Sequence, residues 1–256
     1  MKRARPPAAP RWSIEVREER GVRYLHFGSE YVQGAMRIAR PFALELEYTR
    51  DLMLPLLLRG DSWPASVLQV GLGSGSVTKF LSRHRPEARI TVVELVAEVV
   101  AAARQFFRLP EESGHLRIEI ADAHDWLVGR RRTFDFIVLD GFDDRGNAGM
   151  LDTVPFYLNC LEHLSRSGMV SVNLLTRRRG VAASVERLRA AFGERALVLP
   201  PSEAGNTVAI AAAGASIEAT MPQLRDSARR LRAETGLDLS SALARLATAR
   251  GETLRL

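Results

Sequence analysis

The chain has 256 residues, 46% of them hydrophobic and 26% charged, which suits one large α/β domain with a small appendage. No apolar run approaches the roughly 20 residues that a membrane-spanning helix needs, and no apolar signal-peptide core follows the basic N-terminus. The single cysteine, Cys160, excludes an intramolecular disulfide. These features predict a cytoplasmic protein without a membrane partner.

The formal net charge of +6 raises the question of a nucleic-acid partner. Arginine is scattered along the whole chain, as a biased genome composition would produce. The clusters Arg130–Arg132 and Arg177–Arg179 are short and have no interleaved aromatic residues. The charge pattern therefore does not favour nucleic-acid binding.

The N-terminal third is predicted to contain a tail, a small β-unit and a helix. Residues 1–11 carry three prolines and four Lys or Arg residues, which is typical of a disordered basic tail. Residues 12–40 contain alternating runs on either side of a turn at Glu19-Arg20-Gly21, which predicts an antiparallel β-unit. Residues 41–58 open with a proline and have helical apolar spacing, so we expect a helix there.

From residue 65 onwards, short β-branched runs alternate with helix-like runs, which predicts βαβ units and a parallel sheet. The runs ALVLP and NTVAIAAAG, within 196–214, are expected to close the sheet as an antiparallel pair. The remaining residues form an amphipathic helical tail that is broken near Gly236. We therefore assign residues 41–256 to one Rossmann-like domain with C-terminal helices.

The stretch VLQVGLGSGSVTKFL, residues 67–81, places three glycines between a strand and a helix. Glycines there allow a tight turn and a close approach of a ligand to the backbone. The dinucleotide fingerprint would need a further glycine where Ser76 stands, and no Gly-Lys-Ser/Thr of a phosphate loop follows. The loop therefore predicts another kind of nucleotide-like ligand.

Acidic residues end the next three predicted parallel strands. Glu94 lies about 20 residues after the glycines, where a carboxylate accepts hydrogen bonds from ribose hydroxyls. Asp122 ends the following strand and could accept from an exocyclic adenine amine, and Asp140 ends the strand after it. Each acid alone would suit a helix N-cap or a solvated turn. All three in register with a glycine loop instead predict a nucleoside site at one rim of the sheet.

These segments resemble the class I AdoMet-dependent methyltransferase fold and, more narrowly, the spermidine synthase (polyamine aminopropyltransferase) family, over roughly residues 22–212. The family's Asp-x-x-Asp after the fourth strand is matched by Asp140 and Asp143. The resemblance rests on YLHFGSEYVQGAM, LEYTRDLM, VLQVGLGSG, VVEL, IADAHDWL, FDFIVLDGFDD and LDTVPFYLNCLEHLSRSGMVSVN. It implies an α/β fold with a Rossmann-like seven-stranded sheet flanked by helices, a small N-terminal antiparallel β-unit, and a homodimer.

The resemblance also implies an activity, namely transfer of an aminopropyl group from decarboxylated AdoMet to a diamine such as putrescine. Asp140 would be the general base, and Asp143 and Tyr48 would orient the attacking amine. The implied co-substrate residues are Gln33, Gly71, Gly73, Ser74, Gly75, Glu94, Asp122 and Ala123. No metal is expected, because the histidines lack ligand spacing and a sulfonium is already a good leaving group.

Several positions depart from the family pattern. Ser74 stands where the family has an aspartate that favours the terminal amine of decarboxylated AdoMet, so ordinary AdoMet becomes a second candidate co-substrate. Val96 replaces an acidic residue, and Phe142 lies between the two family aspartates. Ser202 or Glu203 falls near the place of a tyrosine that helps close the family's amine pocket.

Three hypotheses follow from these observations. The first is a polyamine aminopropyltransferase, supported by Asp140, Asp143, Tyr48 and Gln33. The second is an AdoMet-dependent methyltransferase acting on another small molecule, which the neutral residue at position 74 supports. The third is a nonenzymatic protein that keeps the fold and binds a nucleoside, which the cumulative departures support.

Overall fold

We analysed a computed structural model of the chain, which describes residues 12–28, 31–175, 181–202 and 205–256. The predicted basic tail, the cluster Arg177–Arg179 and Glu203 lie outside the described residues. No helix in the described part of the chain is long and apolar enough to cross a membrane.

The N-terminal unit is antiparallel, as predicted, and consists of three strands in the order β1-β2-β3. Its strands are β1 (Ile14–Glu19), β2 (Val22–Phe27) and β3 (Val32–Arg37). Arg20 and Gly21 connect β1 to β2 with φ of 49° and 74°. Positive φ at both turn residues is the geometry of a tight two-residue hairpin whose twist matches that of the strands.

The single helix predicted over residues 41–58 is wrong. The chain forms only the short helix α1 (Glu47–Asp51) and then a separate 3₁₀ turn, Leu54–Leu57. Pro55 explains the break, because proline lacks the N–H that would continue an α-helix and its ring clashes with the preceding turn. The apolar spacing in this stretch reflects burial against the sheet by two short elements.

The central sheet has seven strands in the order β6-β5-β4-β7-β8-β10-β9, which confirms the predicted fold class. Its strands run parallel except β10, which pairs antiparallel with β8 and β9. The strands are β4 (Ser66–Val70), β5 (Arg89–Glu94), β6 (Leu116–Ile120), β7 (Phe134–Leu139), β8 (Leu164–Leu175), β9 (Ala196–Val198) and β10 (Asn206–Ala212). The connecting helices are α2 (Ser76–His84), α3 (Ala97–Phe106), α4 (Ala123–Leu127), α5 (Val154–Glu162) and α6 (Ala182–Phe192).

The direction of winding reverses beside β4, since β5 and β6 lie on one side of it and β7 and β8 on the other. Such a reversal opens a crevice at the carboxyl ends of the strands. Alternate residues of the strands face two separate cores: Val67 and Phe136 belong to one, and Leu68 and Ile137 to the other. The sheet is thus covered on both faces and leaves its carboxyl rim as the place for a site.

The C-terminal segment forms α7 (Met221–Thr235) and α8 (Ser240–Arg250), separated at Gly236, whose φ is 76°. The predicted break is confirmed. A two-stranded sheet of β11 (Glu218–Thr220) and β12 (Thr253–Arg255) brackets these helices and was not predicted. Arg245 of α8 joins this segment to the main domain by donating to Asp51 Oδ2 (2.6 Å) and to the carbonyl oxygen of Pro200 (2.8 Å).

Candidate functional site

The glycine loop between β4 and α2 is shaped by steric limits. Gly71, Gly73 and Gly75 have φ of 83°, 53° and 69°, a region that side chains disfavour. A Cβ on Gly71 would lie 2.2 Å from the carbonyl oxygen of Asp140, so the ends of β4 and β7 are in direct backbone contact. The backbone contact with Asp140 thus explains why position 71 requires a residue without a side chain.

Strand β3 of the N-terminal unit packs directly on this loop. A Cβ on Gly34 would lie 2.4 Å from Ser74 Oγ and 2.8 Å from the backbone nitrogen of Ser74. A Cβ on Gly73 would lie 2.9 Å from the carbonyl oxygen of Gln33. The structure therefore brings the backbone of Gln33 to the glycine loop, while its co-substrate role stays a prediction, and it adds Gly34, which sequence reasoning missed.

Ser74 is buried in this contact, with 2% of its surface exposed. Its hydroxyl lies 2.9 Å from Ser76 Oγ, and Ser76 Oγ donates to the carbonyl oxygen of Ala35 in β3. The side chain at position 74 is thus part of the seam between the loop and the N-terminal sheet. Its effect on the choice of sulfonium remains a prediction.

Glu94 at the end of β5 holds the glycine loop through its carboxylate. Oε2 accepts from the Leu72 N–H (2.8 Å) and Oε1 accepts from the Val96 N–H (2.9 Å). Burial raises the pKa of Glu94, and the backbone hydrogen bonds oppose that rise. Glu94 is 5% exposed, and its carboxylate lies beside the loop at the end of β5, while the ribose role stays a prediction.

Asp122 follows β6 and caps α4 by accepting from the His124 N–H (2.8 Å), and Ala123 is buried as the first residue of that helix. Asp122, His124 and Asp125 place ligand atoms within 4.8 Å of one another. The search for histidine spacing missed this group because two of its members are carboxylates. The N-cap bond and the His124 Nδ1–Asp125 Oδ1 contact of 3.0 Å explain the cluster, so we assign no ion to it.

Asp140 at the end of β7 is the centre of a hydrogen-bonded network. Its Oδ1 accepts from Asn173 Nδ2 (2.8 Å), and the Tyr48 hydroxyl of α1 donates to the same carboxylate. Asn173 Oδ1 in turn accepts from Asn206 Nδ2 (3.1 Å). Three elements that are distant in sequence therefore converge on one partly buried carboxylate.

This environment changes the pKa of both titratable partners. Burial raises the pKa of Asp140 above its ordinary value, although the hydrogen bonds from Asn173 and Tyr48 oppose the rise. Burial, together with the charge of Asp140 and the hydrogen bond to it, raises the pKa of Tyr48 well above 10.0. Tyr48 therefore stays a proton donor, while Asp140 is more basic than an ordinary aspartate.

Asp143 lies three residues further on and has a different environment. Its Oδ1 accepts from the backbone N–H groups of Arg145 (2.9 Å) and Asn147 (2.7 Å), and both its oxygens accept from Asn147 Nδ2. Burial alone would raise its pKa, but these hydrogen bonds outweigh burial and lower it. Asp143 thus remains charged and closes its own loop, and its predicted contact with an amine stays a prediction.

Sequence reasoning missed Asn173 and Asn206. The available signal was the amide of Asn173 inside the largely apolar run GMVSVNLL, since an amide in a buried strand needs hydrogen-bond partners. Ser202, also noted from the sequence, is 6% exposed, and its hydroxyl has no partner among the residues that the structure describes.

Known proteins share the fold of this chain. The family model described as "Methyltransferase domain" matches residues 67–153, which include the glycine loop, Glu94, Asp122 and Asp140. Among solved structures, a probable spermidine synthase from Corynebacterium glutamicum superposes with a TM-score of 0.70 at 20% identity, covering 86% of this chain and 83% of that one. Human methyltransferase-like protein 13 in complex with SAH superposes with a TM-score of 0.67 at 22% identity, covering 75% of this chain and 93% of that one.

Curated relatives narrow the assignment. The polyamine aminopropyltransferase of Chromobacterium violaceum is 34% identical over 245 residues, which are 96% of this chain and 93% of the relative. That of Neisseria meningitidis is 33% identical, with the same coverage of both chains. Such identity over nearly the whole of both proteins goes beyond a shared fold, and the chain therefore belongs to the polyamine aminopropyltransferase family.

Proposed function

We propose that this protein transfers the aminopropyl group of decarboxylated AdoMet to a small diamine such as putrescine. The observation that carries the proposal is Asp140, a partly buried carboxylate with a raised pKa, beside the glycine loop and hydrogen-bonded to Tyr48 and Asn173. A diamine is mostly protonated at neutral pH, so it needs an anionic site and a base to free its lone pair. Asp140 has the position and basicity for that task.

The transfer is a displacement at carbon. The amine nitrogen attacks the aminopropyl carbon beside the sulfonium, and the C–S bond breaks with its electron pair going to sulfur, which releases methylthioadenosine. Asp140 accepts the proton that the amine loses. Tyr48 donates to Asp140, which fixes the direction of its carboxylate, and Asp143 supplies a permanent negative charge near the cationic substrate.

The nucleoside would lie along the other half of the rim. Gly71, Gly73 and Gly75 would pass beneath the aminopropyl chain, and Glu94 would accept from the ribose hydroxyls while still holding the Leu72 N–H. Asp122 and Ala123 would contact the adenine at the start of α4. Two solved neighbours support this part of the proposal. Human methyltransferase-like protein 13 was determined in complex with SAH. A spermidine synthase, at 21% identity and a TM-score of 0.59, was determined in complex with the transition-state analogue AdoDATO.

A second candidate is methyl transfer from AdoMet, and Ser74 is the observation that favours it. Ser74 is neutral, so it offers no carboxylate to the terminal amine of decarboxylated AdoMet and does not repel the carboxylate of AdoMet. Its hydroxyl is turned toward Ser76 and β3. Affinity for the two sulfonium compounds therefore decides between the candidates.

The test is a calorimetric titration with AdoMet and with decarboxylated AdoMet, followed by an assay of putrescine turnover. Preference for the decarboxylated form together with release of methylthioadenosine supports aminopropyl transfer. Binding of AdoMet without turnover of any diamine would overturn it in favour of methyl transfer, and binding of neither compound would overturn both.

The proposal also includes a cytoplasmic homodimer that needs no metal. Sedimentation equilibrium would measure the mass of the assembly against the 28.3 kDa chain. Turnover that persists unchanged in excess EDTA would support metal independence, and loss of turnover that a divalent cation restores would contradict it.

A further inference from the structure

The amides of Asn206 and Asn173 form a relay that ends at Asp140. We propose that Asn206 is a positioning residue: its N–H donates to Asn173 Oδ1 and so keeps the Asn173 amide turned with its nitrogen toward Asp140. The proposal rests on the proposed function, because it concerns the group that we assign as the base.

The relay is built by the antiparallel pairing of β8 and β10. Asn173 lies opposite Val208, so Asn206, two residues away, faces the same side of the sheet and reaches Asn173 diagonally. Asn206 Nδ2 lies 3.1 Å from Asn173 Oδ1, and Asn173 Nδ2 lies 2.8 Å from Asp140 Oδ1. Asn173 is 5% exposed, so water cannot readily replace either partner.

Shape alone does not orient a primary amide, because its oxygen and nitrogen ends are nearly the same size. Asn173 with its oxygen toward Asp140 would repel the carboxylate and stabilise only the protonated acid. A donor fixed at the far end excludes that arrangement. Asn206 is such a donor, and its own position is set by the pairing of its backbone with Leu175.

The other titratable groups that act on Asp140 in the described residues come from two elements. Tyr48 of α1 donates to it, and Glu94 of β5 interacts with it as a second negative charge. Neither group contacts Asn206 in the hydrogen bonds above, so a neutral change at position 206 acts on Asp140 through Asn173.

Two substitutions test the relay in different ways. Asn206→Asp keeps the size but offers only acceptors, so it should reverse the Asn173 amide, and both that reversal and the added negative charge favour the protonated form of Asp140. Asn206→Ala removes the donor and leaves the amide free to turn. Thr207→Val is the matched control, since Thr207 is 1% exposed on the same strand and its hydroxyl has no hydrogen-bond partner among the described residues.

The measurement is kcat for putrescine as a function of pH in all four proteins. We expect the acidic limb of the Asn206→Asp profile to move up by about one pH unit, a roughly tenfold loss of turnover below the limb that alkaline pH restores. Asn206→Ala should move it less, and Thr207→Val not at all. Equal loss at every pH with an unmoved limb would mean a merely structural role and would overturn the proposal.

A second readout does not depend on turnover. The ¹³C resonance of the Asp140 carboxyl, identified by its loss in Asp140→Asn, is titrated in the wild type and in Asn206→Ala, which removes the donor without adding a charge. A higher midpoint in the variant supports the relay even if the wild type fails to transfer aminopropyl groups, which would overturn only the proposed function. Equal midpoints would overturn the relay.

Discussion

The two halves of the rim are built in different ways. On the glycine-loop side, backbone contacts backbone: Gly71 lies against Asp140 O, and Gly34 lies against Ser74. On the Asp140 side, separate elements contribute side chains, namely Tyr48, Asn173 and Asn206. The first half is limited by steric fit, whereas the second is limited by which groups donate and which accept.

This difference predicts two kinds of failure. Added volume on the glycine-loop side should displace whole segments and lower both stability and co-substrate affinity. An isosteric change of hydrogen-bonding character on the Asp140 side should leave stability and affinity nearly intact and remove chemistry. Substitutions on the two sides can therefore establish whether binding and proton transfer are separable in this protein.

The largest effect is expected from Asp140→Asn. The amide is the same size but cannot take a proton from the amine, so turnover should fall by about 10²- to 10⁴-fold. Calorimetry should find the affinity for the sulfonium co-substrate within about threefold of wild type. Asp144→Asn, an exposed neighbour in the same loop, is the control and should retain full turnover. Full activity of Asp140→Asn would remove Asp140 from the role of base.

Gly34→Ala should have a smaller effect than Asp140→Asn, and it should lower stability and co-substrate affinity rather than the chemical step. The new methyl would lie 2.4 Å from Ser74 Oγ, so β3 and the glycine loop must separate. We expect a loss of about 1–3 kcal/mol in unfolding free energy and a parallel loss of co-substrate affinity.

Gly114→Ala provides the control for that experiment, because no described atom beyond its own chain neighbours lies within 4 Å of the added Cβ and its φ is ordinary. It should be close to neutral in urea denaturation and in calorimetric titration. If Gly34→Ala kept its affinity while turnover fell, the division of the rim into a binding half and a chemical half would be wrong.

The same division explains how much the sequence could predict. The glycine loop and the acids that end β5, β6 and β7 are local signals, since glycine spacing and strand ends are visible within short windows. The sheet followed from the alternation of strands and helices. What the short windows could not supply was the distance between elements in space.

The residues that sequence reasoning missed depend on pairing across long separations. Asn206 meets Asn173 only because β10 returns antiparallel to β8 in one particular register, and no local pattern specifies that register. Gly34 meets Ser74 across 40 residues of chain. The helix predicted over 41–58 was wrong for a local reason. The apolar periodicity indicates a helix, but Pro55 interrupts it.

Lys79 tests whether the packing beneath the glycine loop excludes water. It lies in α2, is 1% exposed, and its Nζ donates to the carbonyl oxygen of Phe107 (2.8 Å). Two residues beyond Phe107, Leu109 Cδ1 would be 2.7 Å from a Cβ on Gly75, so this contact supports the segment beneath the loop. Burial, with a contribution from Arg108, lowers the pKa of Lys79 from 10.5 to about 7.

A lysine pKa that is lower in the folded state than in the unfolded state makes stability rise with pH. Between about pH 7 and 10.5 the unfolded chain binds a proton that the folded protein lacks, whereas below pH 7 both states bind it. In urea denaturation, the unfolding free energy of the wild type should therefore rise relative to Lys79→Met by about 1.4 kcal/mol per pH unit across that window. Arg83→Met, an exposed change on the same helix, should run parallel to the wild type because arginine does not titrate there. If the curve for Lys79→Met also ran parallel to the wild type, Lys79 would keep its charge in the folded protein. The segment around Phe107 and Leu109 beneath the loop would then be open to water rather than closed, as the steric contacts require.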